Sequence, residues 1–129
     1  MADDLINHVQ NDLRPKRVVT LVDENDVPVD LTVGGVSYVQ MHMREKGDDV
    51  LKATVPCSML SGIVQPDGTV SYAPPYDVGG KGGRVQIEWI ADAVDTAGTF
   101  EGEFELVFGD GSTQTTYKTT TITIRDDIG

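Results

Sequence analysis

The sequence predicts an all-β domain, and three observations carry that prediction. Apolar and polar residues alternate with a period of two through several short segments. Those segments are bounded by clusters of Gly, Pro, Asn and Asp, the residues that turns require. No apolar stripe of helical spacing runs for more than a few turns.

Taken in order, residues 16–22 (KRVVTLV) read as a strand that ends at Asp23-Glu24-Asn25-Asp26, where Asn and Asp favour a turn by bonding their own backbone. Val27 to Leu31 leads to Gly34-Gly35. From Val36 to Arg44, Val39, Met41 and Met43 alternate with Tyr38, Gln40 and His42, which marks a strand with one apolar side. Val50 to Val55 is a further strand, residues 63–72 (IVQPDGTVSY) a hairpin turning at Pro66-Asp67-Gly68, and residues 84–90 (RVQIEWI) the strand after it. In residues 98–115, Phe100, Gly102, Phe104, Leu106 and Phe108 fall on one side of a strand and Glu101, Glu103 and Glu105 on the other. The glutamates read as a wet face, because charged residues are rarely buried unpaired and no acid-base partner accompanies them. Asp110-Gly111 is the next turn, and the threonine-rich residues 112–124 supply the closing strand. The N-terminal segment fits two descriptions: Leu5, Val9 and Leu13 are spaced as a helical stripe, whereas residues 6–10 fit an extended chain equally well, and Pro15 limits a helix to about three turns. The expected core comprises Met41, Met43, Ile87, Trp89, Phe100, Phe104, Leu106 and Phe108.

Length and composition narrow the function. The 129 residues suit one domain able to bury its own core. A formal charge of −11 repels phosphate backbones and anionic lipid, so neither nucleic acid nor a membrane is an expected partner. The single cysteine, Cys57, offers no intrachain disulfide. The acidic start, MADDLINHVQND, reads as neither a secretory signal nor a membrane span, so a soluble protein made in the cytosol is expected.

The motifs that suggest chemistry fail in detail. Gly79-Gly80-Lys81-Gly82-Gly83 resembles a phosphate loop, yet Pro75 stands at the upstream glycine position, Gly82 at the Ser/Thr position and Val85 at the last glycine of a dinucleotide loop. A flexible connector is the better reading. In Asp23-Glu24-Asn25-Asp26, Val27 and Pro28 fall where a calcium loop needs a ligand and a glycine. His8 and His42 lack partners at zinc-site spacing, and Cys57, Ser58 and Ser61 lack the setting of a nucleophile. No catalytic, cofactor-binding or metal-binding residue is nominated. One region resists this reading: Met59, Leu60, Ile63, Tyr72, Pro74, Pro75 and Tyr76 concentrate in a loop-like stretch, and Met59, Leu60, Tyr72 and Tyr76 are the candidate partner contacts.

Asn11-Asp12-Leu13-Arg14-Pro15, "LVDENDVPVDLTVGGVSYVQMHMR" at 21–44, "RVQIEW" at 84–89, "DTAGTFEGEFELVFGDGSTQT" at 95–115 and "TITIRDD" at 121–127 together resemble the immunoglobulin-like N-terminal domain of phage baseplate upper proteins. The resemblance covers nearly the whole chain. It implies a Greek-key immunoglobulin-like β-sandwich of about seven to nine strands, with residues 1–15 as an extended arm joined to it and residues 16–129 as the sandwich, carrying an inserted loop or hairpin at 57–82. It also implies a non-enzymatic virion component of the tail, baseplate or neck, working in a symmetric multi-copy assembly through contacts with other virion proteins. Two departures stand out: the family's connection after "LKATV" is short, and Phe100 stands where antibody-like domains place a corner tyrosine. The alternative from another class is a carbohydrate-binding module for host-surface glycans, with Tyr72, Tyr76 and Tyr117 stacking on sugar rings.

Overall fold

The structure, a computed structural model, describes residues 5–116 and 118–128. In chain order the elements are β1 (Leu5–Val9), β2 (Arg17–Thr20), β3 (Val36–Glu45), β4 (Leu51–Met59), β5 (Ile63–Val64), β6 (Val70–Ser71), β7 (Arg84–Ile87), the short helix α1 (Ala91–Val94), β8 (Gly98–Phe108), β9 (Thr113–Thr115) and β10 (Thr120–Arg125). The fold is all-β, as the alternation requires.

Strands pair in the order β1-β10-β8-β3-β4-β7-β2, with β9 on β8 and β5-β6 as a separate hairpin. Among the described residues only the β1-β10 pair is parallel. β4 makes the corner of the sandwich: its residues up to Cys57 pair with β3, while Cys57 to Met59 pair with β7. The path thus folds over at β4 into a sandwich-like arrangement, with β1, β10, β8 and β3 on one side of the corner and β7 and β2 on the other.

The core fills from both inner faces. Met41, Met43, Val55, Val85, Ile87 and Ile122 are fully buried, with Trp89, Phe100, Phe104 and Leu106 beside them, and Phe108 is only partly covered at the end of β8. Gly102 faces inward too, where a methyl group would sit 2.7 Å from Met41 Sδ. Trp89 lies beyond β7, donates from Nε1 to Pro15 O at 3.2 Å and stacks on buried His8 at 4.7 Å between ring centroids. It thereby holds the N-terminal segment against the second sheet.

Several boundaries differ from the sequence reading. The N-terminal segment is a strand, because Ile6 and His8 alternate into the core while Leu5 and Leu13, members of the helical stripe, stay exposed. β4 continues past Pro56 to Met59, so the excursion between β4 and β7 begins at Leu60 rather than at Cys57. β7 ends at Ile87: Glu88 N still donates in register to Pro56 O at 3.0 Å, but Pro56 has no N-H to return the bond and the ladder closes there. The closing strand is two strands that pair with successive halves of the same edge of β8: β10 with Gly98–Gly102 and β9 with Glu105–Val107.

Glu101, Glu103 and Glu105 do line the outer face, but two of them are half-buried and paired. Arg44 Nε donates to Glu101 at 2.7 Å, Gln40 donates to Glu105 at 2.8 Å, and His42 Nε2 lies 3.2 Å from Glu105. These hydrogen bonds, Gln40 first and His42 second, hold the Glu105 carboxyl below its usual range. Exposed pairs contribute about 0–1 kcal/mol each. Changing all three glutamates to Gln is therefore expected to move Tm by less than about 5 °C in a thermal scan; a loss of more than about 10 °C would give the carboxylates a structural role that this geometry denies them.

Candidate protein-contact surface

The excursion from Leu60 to Gly83 is the part of the chain that the sandwich does not need for its strand ladder, and its base is rigid. Gly62 N donates to Tyr76 O at 2.7 Å, Gly80 N to Leu60 O at 2.8 Å, and Leu31 N to Gly80 O at 3.0 Å. Gly80 and Gly82 are buried, and a Cβ on Gly82 would stand 2.2 Å from Gly62 O. Lys81 Nζ donates to Asp30 at 2.7 Å, and Arg84 Nη1 to Ser61 O at 2.5 Å. The glycine-rich stretch read as a flexible connector is thus a packed corner, its glycines serving close approach of two backbones.

From this base the chain projects the β5-β6 hairpin, whose turn is fastened by Asp67 Oδ1 accepting from Thr69 N at 3.0 Å and Thr69 Oγ1 at 2.6 Å. The sequence-predicted contact residues separate here. Tyr72 is 56% exposed, and Tyr76 is half-buried, its carbonyl committed to Gly62. Leu60 is half-buried, and Met59 belongs to β4 and packs against the core and Gly80. Val64 and Val78, not singled out in the sequence, are exposed and join Tyr72 on the outside of the excursion. Their signal was faint, since a lone valine in a loop carries no pattern. Tyr117 lies outside the described residues.

Two carboxylates brace the segments that carry the excursion. Glu88 accepts from Lys16 at 2.5 Å, Ser58 at 2.7 Å and Gln86 at 2.9 Å, and these bonds, Lys16 first, pull its carboxyl down from 4.5 to about 2. Asp30 accepts from Lys81 and Thr32, which lower it from 3.8 to about 2. Both groups have folded pKa values below their unfolded ones, so their stabilisation is present above pH 4.5 and is lost as pH falls towards 2. Urea unfolding should find Glu88→Gln less stable than the parent at pH 6, with the gap closing by about pH 2. A gap independent of pH would remove Glu88 ionisation from the account.

The remaining chemistry-bearing residues stay apart. Burial first, and then the charge of Glu88, push the Cys57 thiol up to about 12, which keeps it protonated at neutral pH. His8 is buried with Nε2 at 2.6 Å from Asp12 O, and His42 lies three strands away on the outer face of β3 beside Thr54 and Glu105. Asp23 accepts from the backbone N-H groups of Asn25 and Val27, so its side chain serves its own turn. Among the described residues no group of three or more His, Cys, Asp or Glu is placed to hold a metal ion, and no helix is long and apolar enough to cross a membrane. Comparison of the chain with family models, curated proteins and solved structures finds no match.

Proposed function

We propose that the protein is a non-enzymatic structural component of a tailed phage or prophage particle, in the tail, baseplate or neck, that works in the virion through contacts with neighbouring virion proteins in a multi-copy assembly. The resemblance to the baseplate upper protein domain supports the setting. The observation that supports the mode of action is the excursion: its base is locked into the sandwich while Val64, Tyr72 and Val78 stand exposed on it. A preorganised apolar projection loses little entropy on docking, which is what a contact element needs. The charge of −11 disfavours nucleic acid as the neighbour.

The carbohydrate-binding reading is weaker on the same geometry, because of Tyr72 and Tyr76 only Tyr72 stands clear as a stacking platform. Glycan-array binding lost on Tyr72→Ala would revive it.

The test shortens the hairpin by joining Ile63 to Ser71, which are cross-strand partners, through a two-residue Asn-Gly turn. The base stays intact, so the variant is expected to keep its Tm within about 5 °C, as surface changes do, and to lose incorporation into the particle, measured by immunoblotting of purified virions. Normal incorporation of the shortened protein, and of a variant that adds Tyr72→Ala and Val78→Ala to it, would overturn the role given to the excursion, and absence of the parent protein from purified particles would overturn the virion role itself.

A further inference from the structure

Among the described residues the strand path has two ends, β1 and β2, and each pairs on one side only. Leu21 N donates to Gly83 O, so the residues of β2 bonded towards β7 are Arg17, Val19 and Leu21, and the backbone groups of Val18 and Thr20 face the other way. Along β1, Asn7 O accepts from Arg17 Nη2 at 2.6 Å rather than from β10. Between these edges runs a groove of about 480 Å³, bounded by β1 on one side and by Val64 and Val70 of the hairpin on the other. It continues at Asn7 and Arg17 into a second hollow of about 330 Å³ under the turn after β1.

This groove is where the chain collects its positive charge. Four of its five arginines, Arg14, Arg17, Arg84 and Arg125, line the two hollows, against one lining carboxylate among the described residues, Asp12. The rest of the protein is strongly acidic. The Nε groups of Arg17 and Arg84 are shut off from solvent with no hydrogen-bond partner. These Nε atoms are closed to an incoming group, so what the groove offers a partner is the positive charge of its guanidiniums, for which a carboxylate is the complementary group. Arg17 begins β2, and Arg84 on the neighbouring β7 is the register partner of Thr20 near its other end, so the two arginines enter the groove from different strands.

We propose that this groove receives an extended acidic segment of a partner protein, which adds to the free edge of β2 as a further strand. Its backbone pairs with Val18 and Thr20, its acidic side chains meet Arg17 and Arg84, and its apolar side chains rest on the walls formed by Leu5, Val18, Val64 and Val70. Edge pairing supplies the register and the arginines supply the choice of partner, the division of labour found in strand addition generally. Charge complementarity selects the occupant, since a basic groove in a chain of charge −11 attracts acidic polypeptide and a basic segment finds better sites elsewhere on the surface. The inference rests on the protein being a contact module and names one partner chemistry for it.

The probe is a fluorescein-labelled peptide of alternating Glu and Val, Glu-Val-Glu-Val-Glu-Val-Glu, titrated with the full chain by fluorescence anisotropy. Binding with Kd below about 100 μM is expected, weakening with added salt. It should fall at least tenfold for Arg17→Gln with Arg84→Gln, for Val18→Glu, which places a like charge on an exposed wall, and for a probe N-methylated at alternate amides, which cannot pair with an edge. Val18→Glu and the N-methylated probe keep the test decisive where the arginine variant folds poorly. No binding below about 1 mM, equal binding of the N-methylated probe, or equal binding of a single-stranded oligonucleotide of matched charge would overturn the proposal. So would binding that emerges only after removal of residues 1–4, or self-association of the chain that the probe does not displace, because each names a different occupant. Failure to bind the probe by a protein that still enters particles sinks this groove assignment alone, whereas absence from particles sinks the contact role beneath it.

Discussion

Phe104→Ala should cost the fold roughly 3–5 kcal/mol, the range for truncating a buried aromatic ring. Phe104 is 2% exposed at the middle of β8, the strand held by β3, β10 and β9 at once. Its register partner Met41 is fully buried on β3, and its backbone N and O are engaged by Thr116 Oγ1 at 3.3 Å and Thr116 N at 2.8 Å. With both strands pinned by ladders, the walls are poorly placed to collapse into the space left behind, so the cavity cost adds to the lost burial. Phe108→Ala, four residues along the same face but only partly covered, is the internal comparison and should cost clearly less. Urea unfolding of both variants measures the difference. A Phe104→Ala loss below about 1 kcal/mol, or one equal to that of Phe108→Ala, would reverse the account of where the core lies.

The same residues show why part of this fold could be read from sequence. In β3 and β8 the side-chain period is two and one face is fully buried, so Met41 and Met43 against Gln40 and His42, and Phe100 and Phe104 against the glutamates, leave one register open. Where pairing, not patterning, sets an element's limits, the sequence is silent. The threonine-rich run carries no break between β9 and β10, and what divides them is that the chain switches from one half of β8 to the other. Pro56 suggests an end to β4, since proline has no N-H to give a ladder. It sits near the transfer from β3 to β7, where its carbonyl, not its nitrogen, is used. The contact surface was half legible: a concentration of Tyr, Met and Pro marks the excursion, but only tertiary packing commits Met59 to the core and leaves Tyr72 outside. The arginine-lined groove has no local signature at all. Arg14 and Arg17 lie far along the chain from Arg84 and Arg125, and only closure of the sandwich brings the free edges of β1 and β2 to opposite sides of one hollow.

Gly82→Ala is the second change expected to damage the fold severely, although it adds only a methyl group and removes no contact. The new Cβ would stand 2.2 Å from Gly62 O, 3.0 Å from Gly62 C and 2.9 Å from Ile63 Cα. All three neighbours are backbone, so no rotamer change relieves the clash and one strand of the excursion's base must move away from the other. That movement strains the bonds around the corner: Gly62 N to Tyr76 O, Gly80 N to Leu60 O, Leu31 N to Gly80 O and Leu21 N to Gly83 O. Overpacking of a tight site costs about 1–3 kcal/mol even where side chains can yield, and a backbone contact this close should reach or pass the top of that range. Opposing it is the gain from a stiffer unfolded chain, about 0.4–1 kcal/mol for Gly→Ala, too small to offset the clash. Gly79→Ala supplies the control, since its Cβ would meet Met59 O at 3.4 Å, an ordinary contact, in the same glycine-rich stretch. It should be neutral or slightly stabilising. Thermal scans of the two variants separate the readings of this segment: a flexible connector would accept alanine at both positions with equal ease, whereas a packed corner accepts it at Gly79 and loses roughly 10 °C or more at Gly82.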